Sequence, residues 1–252
     1  MDENPAALAE RTSVWSRVCN IFVAPGEVFE EVKSSPPSTS NWFVPALLVA
    51  LIGIACGSIL MSRDWAQQQV RDLTERSVEQ QLAKAGMKPE QMEAQKAMAL
   101  KIGEISAKVG VIVGPIVGGF ATPFWYALFL WPLGNKALKG RLPYMRAVEV
   151  AGLAMMIGLL EAVVKTLLIF VQENIMASPT PALMIKELDL TNKVHHLLLT
   201  LNPFSLWSLA VMASGLATLT SASFARAAGW LFGLWVVFKA AVVALGLGRF
   251  GM

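Results

Sequence analysis

The chain has few of the residues on which soluble and secreted proteins depend. Only 15% of its 252 residues are charged, whereas a soluble domain carries roughly 25%. It has only two cysteines, Cys19 in a polar stretch and Cys56 in an apolar one. Because these environments differ, we expect no disulfide between them. The formal charge of +3 is too small for a protein that must neutralise many phosphates. Nucleic acid is therefore not an expected partner.

Sequence motifs of common enzymes and metal sites are also lacking. There is no Gly-x-Ser-x-Gly, no His-Glu-x-x-His, no phosphate-binding glycine-rich loop and no cluster of cysteines. The two histidines, His195 and His196, are adjacent, so on a helix they point about 100° apart and cannot easily share one metal ion. We expect no catalytic residue, no metal, no cofactor and no enzymatic activity.

Long uncharged runs take the place of the missing charge. Hydrophobic residues make up 55% of the chain, and the mean hydropathy is +0.53. A bilayer core about 30 Å thick requires about 20 apolar residues in a helix. Five segments meet or approach this length: 42–61, 109–133, 150–171, 204–219 and 227–247. Because these runs are apolar on every side, they predict an all-α integral membrane bundle of five transmembrane helices.

The spans divide the chain into three regions. Residues 1–41 form a polar N-terminal region, residues 42–247 form the five-span membrane domain, and residues 248–252 form a short C-terminal tail. Between spans one and two, residues 62–108 carry eight basic and seven acidic side chains, a balance typical of solvated helices. The breaker-rich stretch Ala85–Pro89 interrupts them, so we expect an extramembrane helical hairpin whose second arm continues into span two.

Two further segments show apolar stripes at helical spacing. One consists of Val14, Val18, Ile21 and Phe22, and the other of Leu190, Val194, Leu197 and Leu201. The second predicts an amphipathic helix at the membrane interface. The first segment is consistent with either of two predictions: a helix at the membrane interface, or a small helix packed against the base of the bundle.

Glycines recur at four-residue spacing in three of the spans. They are Gly53 and Gly57 in span one, Gly110, Gly114 and Gly118 in span two, and Gly229 and Gly233 in span five. This spacing places small residues on one face of a helix and allows backbones to approach closely. We expect these faces to pack against other helices, within the chain or between chains.

Three charges lie inside the spans. Glu161 and Lys239 are near the midpoints of spans three and five, and Lys165 follows Glu161 by four residues on the same helix face. Because an unpaired charge costs at least about 2.5 kcal/mol at the bilayer centre, we predict an intramembrane polar cluster of these three residues. The cluster either fixes helix register or lines a path for a proton or small solute.

The short loop at residues 134–149 indicates the orientation of the chain. It carries four basic residues, Lys136, Lys139, Arg141 and Arg146, against one acidic residue. Cytoplasmic loops are enriched in Lys and Arg, and a five-span topology puts this loop on the same side as the N-terminus. The pattern favours a cytoplasmic N-terminus.

Two short motifs accompany this arrangement of spans: IFVAPGEVFEEVKSSP before span one and LNPFSLWSL at the start of span four. Together with the five spans, they resemble the Yip domain family, membrane proteins named for interaction with Ypt/Rab GTPases. The resemblance covers roughly residues 16–246. Eukaryotic members carry an Asp-Leu-Tyr-Gly-Pro stretch and a short first loop, both of which differ here, so the resemblance implies a bacterial-type relative in the plasma membrane.

The resemblance implies a non-enzymatic protein that organises the membrane or acts as a scaffold. Its expected partners are the lipid bilayer and other membrane proteins or a second copy of itself. The alternative is a small proton- or solute-conducting transporter or channel that uses Glu161 and Lys239.

Overall fold

A computed structural model describes residues 13–84, 89–185 and 193–245. Within these ranges the chain forms nine α-helices and no strand. The helices are α1 (Val14–Asn20), α2 (Pro25–Ser34), α3 (Ser40–Met61), α4 (Asp64–Lys84), α5 (Pro89–Pro132), α6 (Tyr144–Gln172), α7 (Lys193–Thr200), α8 (Pro203–Thr220) and α9 (Phe224–Leu245). A π-helical turn, Leu133–Ala137, follows α5, and a 3₁₀ turn, Pro181–Met184, precedes α7.

Five of these helices are long and apolar enough to cross a bilayer. They are α3, α5, α6, α8 and α9. The all-α, five-span fold class is therefore confirmed, and the chain is an integral membrane protein. All five helices begin before the predicted spans: α5 includes the predicted second arm of the hairpin, and α6 begins six residues before residue 150. The end of the fifth predicted span, at 246–247, and the tail at 248–252 lie outside the described residues.

The extramembrane hairpin consists of α4 and the first part of α5. Lys96 on α5 forms ion pairs of 2.6 Å with both Glu75 and Glu79 on α4. The helices approach so closely at Gly103 that a Cβ there would lie 2.6 Å from Thr74 Cγ2. Since α5 runs without a break over 44 residues, the second arm continues directly into span two, as predicted. The turn at residues 85–88 is outside the described part of the chain.

Internal contacts divide the chain into two compact units, each made of separate segments. The first comprises Met1–Ala46, Ala121–Ile157 and Ser205–Phe238, and the second comprises Leu47–Phe120, Gly158–Phe204 and Lys239–Met252. The division at residues 41 and 247 into an N-terminal region, a membrane domain and a tail stays a prediction.

The apolar stripe of α1 packs into the core of the first unit. Val18 and Ile21 are buried, as are Phe29 and Val32 on α2. The Phe29 ring contacts α8 so closely that a Cβ on Gly215 would lie 2.9 Å from it. Burying each such side chain contributes about 1.5–3 kcal/mol. The stripe therefore faces protein, and an interfacial role for α1 rests on its other side, where Trp15 is 57% exposed.

Helices α3 and α6 touch through their backbones at Gly152. A Cβ built on Gly152 would lie 2.4 Å from the Cα of Trp42 and 3.0 Å from the carbonyl oxygen of Asn41. Because both atoms belong to the backbone, no rotamer change relieves the contact. Glycine at 152 thus sets the distance between the first turns of α3 and the start of the long apolar part of α6.

Substitution of this glycine should destabilise the protein. We expect Gly152→Ala to lower the free energy of unfolding by about 1–3 kcal/mol, since the extra methyl group must push α3 and α6 apart. Gly158→Ala, on the same helix, is the matched control because nothing lies within 4 Å of its Cβ position. Thermal unfolding in detergent measures both. Equal midpoints for the two variants would contradict the contact.

Candidate functional site

The N-terminal helices carry polar side chains that point toward the interior of the first unit. Helix α1 begins at a cap in which Ser13 Oγ accepts from the Ser16 backbone N–H at 3.2 Å. This start places Arg17 on the same side as the buried Val18. Helix α2 begins with Pro25, whose fixed φ suits a first helical position, and it ends before Pro36 and Pro37, which prevent its continuation.

Arg17 is the centre of the first half of a buried polar network. Its Nε donates to Glu31 on α2 at 3.3 Å, and its two terminal nitrogens donate to Asn41 Oδ1 at 3.1 Å and to Ser35 Oγ at 3.3 Å. The rigid fork of a guanidinium can hold three partners in fixed directions. One side chain of α1 thereby connects to α2, to the turn after it and to the first turn of α3.

Glu149 on α6 is the centre of the second half. It is 1% exposed. Its carboxylate accepts from Asn41 Nδ2 at 2.7 Å, from the Ser38 backbone N–H at 3.3 Å and from Arg146 at 3.3 Å. Both carboxylate oxygens are therefore satisfied by donors from α3, from the turn before it and from α6 itself.

Arg146 extends the network from α6 to the end of α2. Its guanidinium donates to the backbone carbonyl of Val32 at 2.7 Å and to that of Ser35. Carbonyls at a helix C-terminus lack partners inside the helix, and a cation close to them is also favoured by the helix dipole. Arg146 thus caps α2 and pairs with Glu149 at the same time.

The network is electrically balanced. Arg17 and Arg146 supply two positive charges, and Glu31 and Glu149 supply two negative charges. Burying charges is costly unless they are paired and hydrogen-bonded. Here Glu149 and the two arginines each have an opposite charge and neutral donors or acceptors around them. We call these residues with Asn41 the clamp network.

The clamp network has a structural role, because its groups hold helices together and none is placed to react. It contains no histidine, thiol or hydroxyl placed beside a base, and its amide and carboxylate groups are already engaged with one another. Among the described residues no group of three or more His, Cys, Asp or Glu side chains is placed to hold a metal ion. The nearby Trp42 Nε1 is buried without a partner in the described structure, but a single donor does not form a binding site.

Comparison with known proteins identifies the family of the chain. The Yip1 domain matches residues 20–245. The chain belongs to the Yip1 domain family. The match covers α2 to α9 and thus almost all of the five-span fold, and it confirms the resemblance found in the sequence. No curated protein and no solved structure matches the chain.

In this Yip1 domain protein the predicted intramembrane cluster is not joined by ion pairs. Glu161 accepts a hydrogen bond from Asn202 Nδ2, a neutral partner from the turn before α8. No ion pair of 4.0 Å or less links Glu161 to Lys165 or Lys239, all three of which are described residues. Lys165 is exposed. A polar cluster of these three residues within the membrane stays a prediction.

The glycine pairs of the Yip1 domain differ in their surroundings. A Cβ on Gly53 would lie 2.8 Å from Pro115, and one on Gly57 would lie 3.1 Å from Val111, so this pair lies where α3 and α5 approach closely. The remaining predicted packing glycines have nothing within 4 Å of their Cβ positions: Gly110, Gly114, Gly118, Gly229 and Gly233. Packing of those five against another chain stays a prediction.

The sequence contained a signal for the clamp network that hydropathy counting missed. Arg146 and Glu149 stand three residues apart directly before an apolar run, which is the spacing of a pair on one helix face. Hydropathy counting treats them as loop charges, whereas α6 begins at Tyr144 and includes both. Arg17 interrupts the apolar stripe of α1 in the same way, but its partners lie up to 24 residues away in the chain, and no spacing rule reaches that far.

Loss of Glu149 should destabilise the N-terminal helices. We expect Glu149→Ala to lower the free energy of unfolding by about 3–5 kcal/mol, because Arg146 and Asn41 are left buried without their acceptor. Limited trypsin digestion should also cut after Arg17, which the intact network protects. The matched control is Glu27→Ala, an exposed carboxyl on α2. Unchanged cleavage at Arg17 in the Glu149 variant would contradict the role of the clamp network.

Proposed function

We propose that this Yip1 domain protein is a non-enzymatic scaffold that organises the membrane through association with lipid and with other membrane proteins. The observation that carries the proposal is the clamp network, which fastens α1 and α2 to α3 and α6. This buried charge network has no reactive group. Its effect is to fix the position of α1 and α2 and of the surface that they expose. Scaffolds depend on such fixed surfaces because ordering a mobile segment at the moment of binding lowers affinity.

The surface held in place is aromatic and apolar. Trp15 is 57% exposed and Val23 is 81% exposed, although both lie on or beside a helix whose opposite side is buried. Tryptophan is enriched at membrane interfaces and in protein–protein contacts because it combines a large apolar ring with one donor. The exposed side of α1 is therefore the first candidate for contact with a partner.

The same unit supports a cytoplasmic N-terminus in a bacterial plasma membrane. Lys33 on α2 donates to Ser221 Oγ at 3.2 Å, and Arg226 donates to the Ala137 carbonyl oxygen at 3.3 Å. These contacts join the N-terminal helices, the turn before α9 and the basic loop after α5 on one side of the protein. Enrichment in Lys and Arg is the signature of the cytoplasmic side.

The sidedness can be measured on the native Cys19, which is exposed on α1. In a Cys56→Ala background, we expect a membrane-impermeant maleimide to label Cys19 in inverted vesicles and to leave it unlabelled in intact cells. The matched control carries Ser77→Cys on the exposed side of α4 and lacks both native cysteines, because one intervening span should reverse its pattern. Labelling of both positions from the same side would contradict the topology.

A photo-crosslinker at Trp15 tests the scaffold itself. We expect a benzophenone side chain at position 15 to give defined adducts with lipid or membrane protein in native membranes. The yield should fall several-fold in the Glu149→Gln variant, since α1 loses its fixed position. A crosslinker at Glu27, exposed on α2, controls for proximity. Equal adducts at both positions, or no dependence on Glu149, would contradict a scaffold surface on α1.

The transport alternative rests on Glu161, whose half-buried carboxylate lies inside a span and is hydrogen-bonded to Asn202. For a scaffold, we expect purified protein in liposomes to conduct no more protons than empty liposomes do. A proton flux that Glu161→Gln abolishes and that Glu173→Gln, at the end of the same helix, leaves intact would replace the scaffold with a transporter.

A further inference from the structure

The loop between α5 and α6 is held rigidly. Asn135 binds its two ends together, because its Nδ2 donates to the carbonyl oxygens of Trp131 and Leu142 at 2.9 Å and its Oδ1 accepts from the Leu142 N–H at 3.0 Å. Two backbone hydrogen bonds of 2.9 Å, Leu138 N–H to Leu133 and Gly140 N–H to Gly134, close the turn between them. The backbone of this loop is therefore ordered before any ligand arrives.

Apolar and basic residues point in opposite directions from this loop. Leu133, Leu138 and Leu142 are buried. Gly140 packs against the end of α8, where its Cβ would lie 2.6 Å from Thr220. Between the leucines stand three exposed cations: Lys136, Lys139 and Arg141. The buried leucines fix the loop on the protein and leave the cations facing outward.

Arg226 adds a fourth cation to the same surface. Its guanidinium is tied to the Ala137 carbonyl at 3.3 Å, beside Lys136. In the part of the chain that the structure describes, none of the four cations has a carboxylate within 4.0 Å. By contrast, Lys96 and Lys108 outside this loop form ion pairs of 2.6 Å and 2.8 Å with glutamates. We call these four residues the basic loop surface.

The basic loop surface lies beside the ends of apolar helices long enough to cross a bilayer. Helix α5 ends at Pro132, four residues before Lys136, and α6 enters its apolar part within two turns of Tyr144. Trp131 and Phe224, on either side of the surface, are 45% and 52% exposed. Exposed aromatic rings beside basic residues are typical of the headgroup region. Lipid headgroups are accordingly within reach of all four cations.

We infer that the basic loop surface binds the headgroup of an anionic phospholipid. Charge complementarity selects this ligand, because four unpaired cations face a layer of phosphodiesters in which anionic lipids alone carry net negative charge. Each Lys or Arg at such a surface strengthens binding about fivefold, and the guanidinium of Arg141 can hold two phosphate oxygens at once. This site deepens the lipid association of the proposed scaffold, but it includes neither the clamp network nor Trp15, so the two are tested by separate variants.

Native mass spectrometry of the full chain tests this site. Protein released from micelles is titrated with phosphatidylglycerol and with phosphatidylcholine of the same acyl chains. We expect tighter binding of phosphatidylglycerol by tenfold or more in the natural protein. The K136Q/K139Q/R141Q variant should weaken phosphatidylglycerol binding about a hundredfold, at about fivefold per charge, and leave phosphatidylcholine binding unchanged.

The matched control is R71Q/R76Q/K101Q, which removes three exposed cations from α4 and α5. It changes the net charge equally, so a similar loss of phosphatidylglycerol binding in this variant overturns the site. Equal affinity of the loop variant and the natural protein overturns it as well. The loop variant's thermal midpoint and its unchanged phosphatidylcholine binding show that it is folded.

Two competitors distinguish a lipid site from other anion sites. Glycerophosphate without acyl chains and a soluble poly-glutamate peptide are added to the protein loaded with phosphatidylglycerol. We expect neither to displace the lipid at equal concentration. Displacement by glycerophosphate would show a site for soluble phosphates, and displacement by the peptide would show a site for acidic protein segments; either result replaces the lipid proposal.

Discussion

The carboxylate of Glu149 stands where the turn before α3, α3 itself and α6 meet, almost without exposure to solvent. A buried carboxylate is stable only when donors surround it, and each donor here comes from a different place in the chain. Asn41 also accepts a hydrogen bond from Arg17 and thereby links Glu149 to α1. The position of the N-terminal helices follows from the need to satisfy this one charge.

A similar arrangement occurs a second time in α6, within the second unit. Glu161 lies in the middle of an apolar helix and accepts from the side-chain amide of Asn202, as Glu149 accepts from that of Asn41. Both asparagines stand in or directly before the first turn of a membrane-spanning helix. An amide supplies a donor without adding a charge, and this lowers the cost of keeping a carboxylate among apolar neighbours.

Charge is distributed unevenly outside the bundle. The hairpin of α4 and α5 lies in a segment with eight basic and seven acidic side chains, residues 62–108, and Lys96 pairs there with Glu75 and Glu79. The loop after α5 leaves Lys136, Lys139 and Arg141 without a carboxylate among the described residues. Balanced charges are typical of a solvated helix, whereas an excess of cations beside a bilayer attracts its anionic lipids. Two extramembrane regions of similar polarity are thus suited to different surroundings.

The sequence by itself determined the five apolar helices, the hairpin before span two and the family. Those features depend on composition and local periodicity, which do not depend on the tertiary fold. An apolar run such as 109–133 must be removed from water whatever its neighbours are. Glycine spacing places residues on one face of a helix but does not name the neighbour. Gly53 and Gly57 lie where α3 and α5 approach closely, and the other five glycines of this pattern have nothing within 4 Å of their Cβ positions.

Only the tertiary structure decided which charges meet. The hydrogen bond between Asn41 and Glu149 joins residues 108 positions apart, and that between Asn202 and Glu161 joins residues 41 positions apart. Hydropathy treats all these groups as polar interruptions, and it assigned Arg146 and Glu149 to a loop. Electrostatic interactions inside a protein depend on distances of a few ångströms, and helix packing sets those distances after the local pattern has been satisfied.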